Sequence, residues 1–418
     1  MNGKTNLLVM ALLAVPLLQA CETSAAWEGT ITDSAGVTIV SNTNTPLWSG
    51  DEAWTAEEDL RIGTVAGEPE YQFGQLAFLD VSHDGRIFVT DAQAQEVRVY
   101  DSQGIHLATV GGPGGGPGEL GPGAAFVMVT PDGGMVVPDL ANTRVNRYGA
   151  DFQPLGSFPI TIEAGIPTIW SMDDAGRLMA QLRGINVQGI AALEEGDPIV
   201  VYDTTGTVVD TVALLPKGQM LEGMSEQQFS MTIFAPEPVW DLADDGSVYY
   251  ALNDRFRVLV NDPQGNLVRI IRKDFSRKAV EESDQNAILR LLREQWETAG
   301  VPPAQIEQLM TGVGFAETYP AFGQFFLGPE GTLWVQRIRS ARDMAEAAGE
   351  EEVEFNPQDI GSPDWEVFDG QGRFLGVVSL PNLFRPVEAV GDHIYGIWQD
   401  ELDVQYIMRV RVNRPGVE

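Results

Sequence analysis

Along most of the chain, short stretches in which apolar and polar residues alternate are parted by turns that carry glycine. Between Leu79 and Leu120 there are four such stretches, rich in β-branched and aromatic residues, at 79–82, 86–90, 96–100 and 106–110. The breaks fall at Asp84-Gly85, at 92–95 and at Gln103-Gly104, so the segment reads as a four-stranded antiparallel meander. A lone meander leaves both faces and both edges open, so it predicts copies of itself packed radially about an axis. The segment from Phe126 supplies a copy, with Gly133 following Gly85 by 48 residues. A second feature keeps the same register. Arg61-Ile62-Gly63 runs into Tyr71-Gln72-Phe73-Gly74, as Val110-Gly111 runs into Pro117-Gly118-Glu119-Leu120.

Further units follow. The third spans 169–214 with turns at Ala175-Gly176 and Thr205-Gly206, and the fourth spans 239–272 with turns at Asp245-Gly246 and Gln264-Gly265. The fifth begins at Phe322 with Glu330-Gly331 and resumes at 365–380 with Gln371-Gly372. In the first and fourth units the two turn glycines stand 19 residues apart, but in the third and fifth the spacings are 30 and 41, which marks inserted loops. The C-terminal segment offers only three strands, at 387–390, 393–398 and 404–412, whereas 60–63 matches the outermost strand of a unit with nothing before it. Joining the two closes a ring and removes the last open edge. The expected fold is therefore all-β, a six-bladed β-propeller of four-stranded antiparallel blades over 58–418, closed by an N-terminal strand.

Two insertions interrupt this rhythm. Val280, Ala287, Ile288, Leu291, Leu292 and Trp296 recur at helical spacing, and Gly300 with Pro302-Pro303 ends that helix before a shorter one through Ile306 and Leu309. This helical hairpin occupies 275–318, between blades four and five, where packing against one end of the ring is its plain role and a lid or docking element the alternative. The second insertion carries Glu346, Glu350, Glu351, Glu352 and Glu354, a run that reads as a solvated loop.

The first 20 residues have the layout of an export signal, with Lys4, an apolar run from Leu7 to Leu18 and small residues before Cys21. The run is too short to span a bilayer. Leu18-Gln19-Ala20-Cys21 resembles the lipobox of bacterial lipoproteins, which implies a diacylglycerol on the Cys21 sulfur and an acylated new amino terminus. At about 0.8 kcal/mol per buried methylene, two or three acyl chains hold a protein on a membrane stably. Glu22 stands where an inner-membrane retention aspartate would stand in such proteins, so the outer membrane is favoured if the cell has one. Residues 21–57 are then a linker with one extra strand, Gly36-Val37-Thr38-Ile39-Val40. Cys21 is the only cysteine, so no internal disulfide builds the fold.

The net charge of −34 becomes −35 once the leader and Lys4 are removed. Such a surface repels phosphate backbones, so nucleic acid is not expected as a partner; the charge reads as a solvated surface, with a role in binding cations as the alternative, and a monomer is expected. Lys217, Lys273 and Lys278 are the only lysines left.

Asp139-Leu140-Ala141-Asn142-Thr143-Arg144-Val145 after Asp132-Gly133 resembles the repeat of NHL-class propellers, and 91–97 is a poorer copy. With Gly36 to Val40, Gly116 to Glu119, and Tyr319-Pro320-Ala321-Phe322 leading to Gly331-Thr332-Leu333-Trp334-Val335, the layout from Gly36 to Val412 resembles the bacterial six-bladed propeller lipoproteins with NHL-like blades. That family implies a fold and no general activity. In the repeat, Asp139, Asn142 and Arg144 read as braces between strands.

Motifs for chemistry are few. Gly116 to Gly121 has dinucleotide-loop spacing, but Pro122-Gly123 stands where a helix must begin and Glu119 would face the phosphates, so it reads as a connection between blades. Asp241, Asp245 and Gly246 partly mimic a calcium loop, yet Ala243 and Leu252 occupy ligand positions. No Gly-x-Ser-x-Gly elbow or His-Glu-x-x-His helix is present, and His83, His106 and His393 lie in different turns or strands, so a zinc site like that of propeller lyases is not expected. Glu237-Pro238-Val239-Trp240-Asp241 resembles the entry strand of calcium-dependent lactonases built on six-bladed propellers, in which a channel glutamate helps bind the metal. Asp80, Asp91, Asp139, Glu237 and Asp241 are accordingly the candidate channel ligands, although equivalent strands offer Met128, Ser171 and Phe326 rather than the further oxygens that calcium wants. The expected function is that of a membrane-tethered binding or scaffold propeller at the cell envelope. The alternative is a calcium-dependent hydrolase or lactonase.

Overall fold

Two kinds of turn recur from blade to blade. After the innermost strand the chain reverses at Gly85, Gly133, Gly176 and Gly246, all with φ between 76° and 84°, a left-handed conformation that favours glycine. At the outer hairpin an aspartate accepts two backbone N–H groups of its own turn: Asp101 from Gln103 and Ile105, Asp203 from Thr205 and Thr207, Asp262 from Gln264 and Asn266, and Asp369 from Gln371 and Arg373. The side chain thereby fixes the reversal that its spacing announces.

A computed structural model describes residues 27–162, 165–184, 195–221, 229–340, 342–343 and 361–415. The leader, Cys21 and the run Glu346 to Glu354 lie outside the described residues.

Three strands precede the first blade: β1 (Thr30–Ser34), β2 (Val37–Asn42) and β3 (Thr55–Ile62). Blade one is β4 (Leu76–Val81), β5 (Ile87–Asp91), β6 (Glu96–Tyr100) and β7 (His106–Gly111). Blade two is β8 (Met128–Val129), β9 (Met135–Asp139), β10 (Arg144–Tyr148) and β11 (Pro154–Pro159). Blade three is β12 (Ile166–Met172), β13 (Leu178–Arg183), β14 (Asp197–Tyr202) and β15 (Val208–Leu215), followed by the short β16 (Met231–Ile233). Blade four is β17 (Pro238–Leu242), β18 (Val248–Leu252), β19 (Arg257–Asn261) and β20 (Leu267–Lys273). The insertion then supplies α1 (Glu282–Thr298), α2 (Pro303–Met310) and β21 (Val313–Phe315). Blade five is β22 (Phe325–Gly328), β23 (Thr332–Ile338), β24 (Gly361–Phe368) and β25 (Phe374–Ser379), and blade six is built on β26 (Phe384–Val390), β27 (His393–Gln399) and β28 (Gln405–Asn413).

β3 pairs antiparallel with β28, from Ile62 opposite Ile407 to Thr55 opposite Asn413. Asp59 on β3 ties the seam, accepting from Arg409 Nε at 2.8 Å and meeting His393 Nε2 at 3.1 Å. The core shows the ring directly, because every contact between neighbouring blades has its own apolar cluster. Leu79, Val81, Tyr395 and Ile397 fill the contact between blades six and one, and Phe326, Trp334, Trp365 and Met408 that between five and six. Such packing buries side chains on both faces of each sheet, which a single meander could not do.

Blade four departs from the four-stranded plan. Its sheet has six strands in the order β1-β2-β20-β19-β18-β17, with β2 parallel to β20. The linker expected over 21–57 with one extra strand thus contains a hairpin, and that hairpin extends the rim of blade four. Asn42, 4% exposed, pins it: Nδ2 donates to the carbonyls of Arg272 and Gly372, and Oδ1 accepts from Phe374 N at 2.7 Å. Alternation of apolar residues identifies a strand, but the edge it joins is a long-range choice that alternation does not encode.

In the insertion, Ala287 and Ile288 of α1 pack against Phe234 and Tyr319, and Val280, expected on the helical stripe, joins the same cluster from the extended segment just before the helix. β16 and β21 pair in parallel and hold the hairpin to the segment between blades three and four. Among the described residues, no helix is long and apolar enough to cross a membrane.

Candidate functional site

The innermost strands β4, β8, β12, β17, β22 and β26 surround the axis. Five positions before the turn glycines Gly85, Gly133, Gly176, Gly246 and Gly331 stand Asp80, Met128, Ser171, Asp241 and Phe326. Met128 and Phe326 fill apolar contacts between blades, while the two aspartates put a carboxylate in the same place. Asp80 accepts from Val81 N and, across to blade two, from Val129 N, each at 2.6 Å. Asp241 repeats the device, accepting from Leu242 N at 2.8 Å and from Leu327 N of blade five at 2.7 Å.

Blade six adds a third acid that sequence reasoning missed, Glu388 on β26. It is one of the residues lining a cavity of about 480 Å³ at this end of the channel, together with Asp80, His83, Asp174 and Asp244. Glu388 escaped notice because β26 ends in the tight turn Gly391-Asp392, with Val390 opposite His393, so the five-residue spacing to a turn glycine fails. The usable signal was local: Val387-Glu388-Ala389 repeats the apolar-acid-apolar order of Leu79-Asp80-Val81 and Trp240-Asp241-Leu242.

All three acids are half-buried, and Asp80 and Glu388 line the cavity. Burial is the dominant influence. It pushes Asp80 up to about 6 and Asp241 up to about 7 against the opposing pull of their backbone hydrogen bonds. Glu388 is raised well above the usual carboxylate range, first by burial and then by the charges of Asp80 and Asp241. Asp244 at the mouth is raised by burial and then by Asp174. His83 Nε2 lies 3.3 Å from Asp174 Oδ1, joining the turns of blades one and three at the rim.

The five residues expected to gather in the channel do not form one group. Asp91 pairs with Leu76 at the start of β4, whereas Asp80 pairs with Phe88 four residues further along, roughly 13 Å at the rise of a strand. Asp91, Asp139 and Glu237 therefore lie toward the end of the ring opposite Asp80, Asp241 and Glu388. Asp91 is fully engaged, accepting from Gly74 N, Gln75 N and Ala94 N beside Arg98. Asp139 accepts from Gly121 N and from the backbone and side chain of Asn142, while Arg144 holds the carbonyls of Gly115, Gly116 and Glu119. These residues fold the connection at 114–121 onto blade two. Glu237 accepts from Met220 N at 2.7 Å and meets Arg183 Nη2 at 3.4 Å, with Arg183 shared by Asp197. The Arg183 guanidinium is thus the cationic partner of both carboxylates. Among the described residues, no group of three His, Cys, Asp or Glu side chains is arranged to hold a metal ion. What the acidic end can do is exchange protons near neutral pH and attract positive charge.

This arrangement defines a six-bladed β-propeller with an acidic channel mouth. No protein-family model and no curated protein matches the sequence. Solved structures do: a Bacteroides fragilis protein described as exported is similar at a TM-score of 0.51 and 12% identity, over 90% of this chain and 100% of that one. A DUF4221 family member from Bacteroides vulgatus gives 0.48 and 10%, over 87% and 97%. Virginiamycin B lyase from Staphylococcus aureus gives 0.42 and 11%, over 86% and 99%. At these identities the likeness is one of fold.

Proposed function

We propose that this chain is an exported propeller, held at the cell envelope by lipid on Cys21, that binds a positively charged ligand at the acidic mouth of its channel. The observation that carries the reading is the cavity of about 480 Å³ whose wall includes Asp80, Asp174, Asp244 and Glu388 and, among the described residues, only Arg86 and His83 as cationic or titratable bases. Carboxylates in a recess with low-dielectric walls concentrate cations there. The plain alternative is that Asp80 and Asp241 serve only as hydrogen-bonded braces between blades, but Glu388 has no such partner in the next blade among the described residues and still stands in the cavity wall.

The test is calorimetric titration of residues 22–418 with spermidine and, separately, with calcium. Saturable spermidine binding that weakens in Glu388→Gln, and weakens as pH drops through 7 and 6, is expected. Absence of binding, or an unaltered Glu388→Gln variant, refutes the assignment. Strong stoichiometric stabilisation by calcium that is abolished by Glu237→Ala favours the lactonase instead. Membrane tethering is read separately, by palmitate labelling of whole cells that is lost in Cys21→Ala.

A further inference from the structure

Along the innermost strands, side chains that point into the channel alternate with side chains packed between blades. One position before Asp80, Met128, Ser171, Asp241 and Phe326 stand Leu79, Val127, Trp170, Trp240 and Phe325, all buried in the clusters between blades. Two positions before, and seven before the turn glycines, stand Phe78, Phe126, Ile169, Val239 and Gln324, and none of these is buried. Ile169 is 40% exposed, and neither it nor Phe78 joins any of the apolar clusters. The ring centroids of Phe78 and Phe126 are 4.9 Å apart. This tier of the channel wall is therefore apolar and wet. It is no part of the acidic cavity's wall, so its exposure opens toward the other end of the channel.

Blade six enters the tier through a β-bulge. Pro386 pairs with Gly396 and Glu388 with Tyr395, which leaves Val387 as an extra residue. With Val387 set aside, buried Pro386 takes the place of Leu79, and Arg385, which is exposed, takes that of Phe78. Strands β4 and β12 bulge at the same depth, between Leu76 and Leu79 and between Pro167 and Ile169, and bulges re-aim side chains. Arg385 Nη2 donates to the Ala77 carbonyl, next to Phe78, at 2.8 Å, the one hydrogen bond of this side chain among the described residues. Solvent reaches Arg385, yet protein surrounds it closely enough to pull its pKa below the usual arginine range, and no acid pulls the other way. Further toward that end, Glu237 is already engaged by Arg183 and by Met220 N. In a chain with 60 acidic against 26 basic residues, a partly desolvated cation in a concave wall thus stands without a counter-ion.

We propose that this tier binds an aromatic monocarboxylate, which enters from the end opposite the acidic mouth, sets its carboxylate on Arg385 and lays its ring against Phe78, Phe126 and Ile169. A planar guanidinium presents N–H groups in the geometry that a carboxylate accepts. A single cation, with Gln324 as the other side-chain donor of the tier, suits a monoanion rather than a phosphate dianion. Half-exposed phenylalanines take a planar apolar body in offset or edge contact. A small anion such as acetate leaves that apolar surface in water and gains nothing from it.

Ligand-observed NMR on residues 22–418 tests the assignment, with phenylacetate and 2-naphthoate as probes and with 2-phenylethanol and acetate as comparators. Saturable binding of at least one probe is expected, with each comparator weaker by about tenfold or more, since one lacks the charge and the other the ring. Arg385→Gln keeps a donor for the Ala77 carbonyl and should weaken the probes by about tenfold. Ile169→Glu, at an exposed position outside the blade cores, sets a like charge in the tier and should weaken them as well. No binding of either probe, equal binding of 2-phenylethanol, or wild-type affinity in either variant overturns the proposal. Neither substitution touches the acidic mouth, so this titration and the one with spermidine succeed or fail separately.

Discussion

Asp241 is the group whose environment makes the sharpest demand on stability. It lies half-buried between blades four and five, and the surrounding protein raises its carboxyl from 3.8 to about 7. A carboxylic acid that is harder to ionise in the folded state than in the unfolded one keeps its proton to higher pH when folded. The associated stability is therefore fully present below pH 3.8 and is lost as pH rises through 7. Each tenfold difference in proton affinity between the folded and unfolded chain corresponds to about 1.4 kcal/mol, so roughly 4 kcal/mol should disappear across this window, and less where Asp244 and Glu388 ionise with it. Asp241→Asn removes the titration but sets an amide nitrogen against one of two backbone N–H donors, which carries a constant penalty at every pH. The informative quantity is hence the difference between wild type and variant, measured by urea unfolding from pH 4 to pH 8. That difference should change steadily with pH in favour of the variant, by a few kcal/mol in all. Parallel pH curves for the two proteins would refute the claim that Asp241 is held protonated by burial.

Three further outcomes test the scaffold. Gly206→Ala places a side chain in a left-handed turn at φ 81° and against the Pro159 carbonyl of blade two, whereas Gly123→Ala, at φ 84°, meets nothing within 4 Å. Both should lower the thermal midpoint through backbone strain of about 1 kcal/mol, with Gly206→Ala lower by at least as much again. Asn42→Ala leaves the Phe374 amide and the Gly372 carbonyl without their partner, a loss of about 1–3 kcal/mol, and deuterium exchange should rise in 30–42 ahead of β20. Trp334→Ala, at a fully buried position between blades five and six, should cost about 3–5 kcal/mol in urea unfolding, the largest effect of the set.

The ring was legible because its information is local and repeated. Gly85, Gly133, Gly176 and Gly246 each require the same left-handed turn, and their spacing counts blades without reference to any distant contact. The hairpin at 30–42 shows where that logic ends. Val37 to Val40 announces a strand, but the edge of β20 that accepts it is far along the chain: Thr38 pairs with Arg269, and 269 minus 38 is 231 residues. Nothing within the hairpin names that edge. Asn42 reads as an ordinary polar residue until the carbonyls of Arg272 and Gly372 are placed beside it. The same holds for Arg385, which joins the tier of Phe78 and Ile169 only once Val387 is seen to bulge, and nothing in Pro386-Val387-Glu388 announces that bulge.

The channel acids separate along a boundary that the sequence did contain. Asp80 stands before the first turn of its blade and Asp91 after the next strand has run back, so antiparallel pairing alone sends them to opposite ends of the hairpin. Glu237 and Asp241, four residues apart on one extended strand, are parted for the same reason. Treating all five as convergent on the axis neglected direction along it. Once direction is kept, the acids sort by role: those at the end of the ring away from the innermost turns, Asp91, Asp139 and Glu237, are consumed by loop amides and arginines, while those near the turns are held where burial keeps their protons in play at neutral pH. Glu388 belongs to the second set by position and by environment, and of the three acids it alone has no neighbouring-blade amide among the described residues to hold it. A carboxylate with no bracing duty at the channel wall is the one whose replacement can change ligand binding without loosening a blade, which is why Glu388→Gln, rather than a change at Asp80 or Asp241, decides between a binding mouth and a mere structural seam.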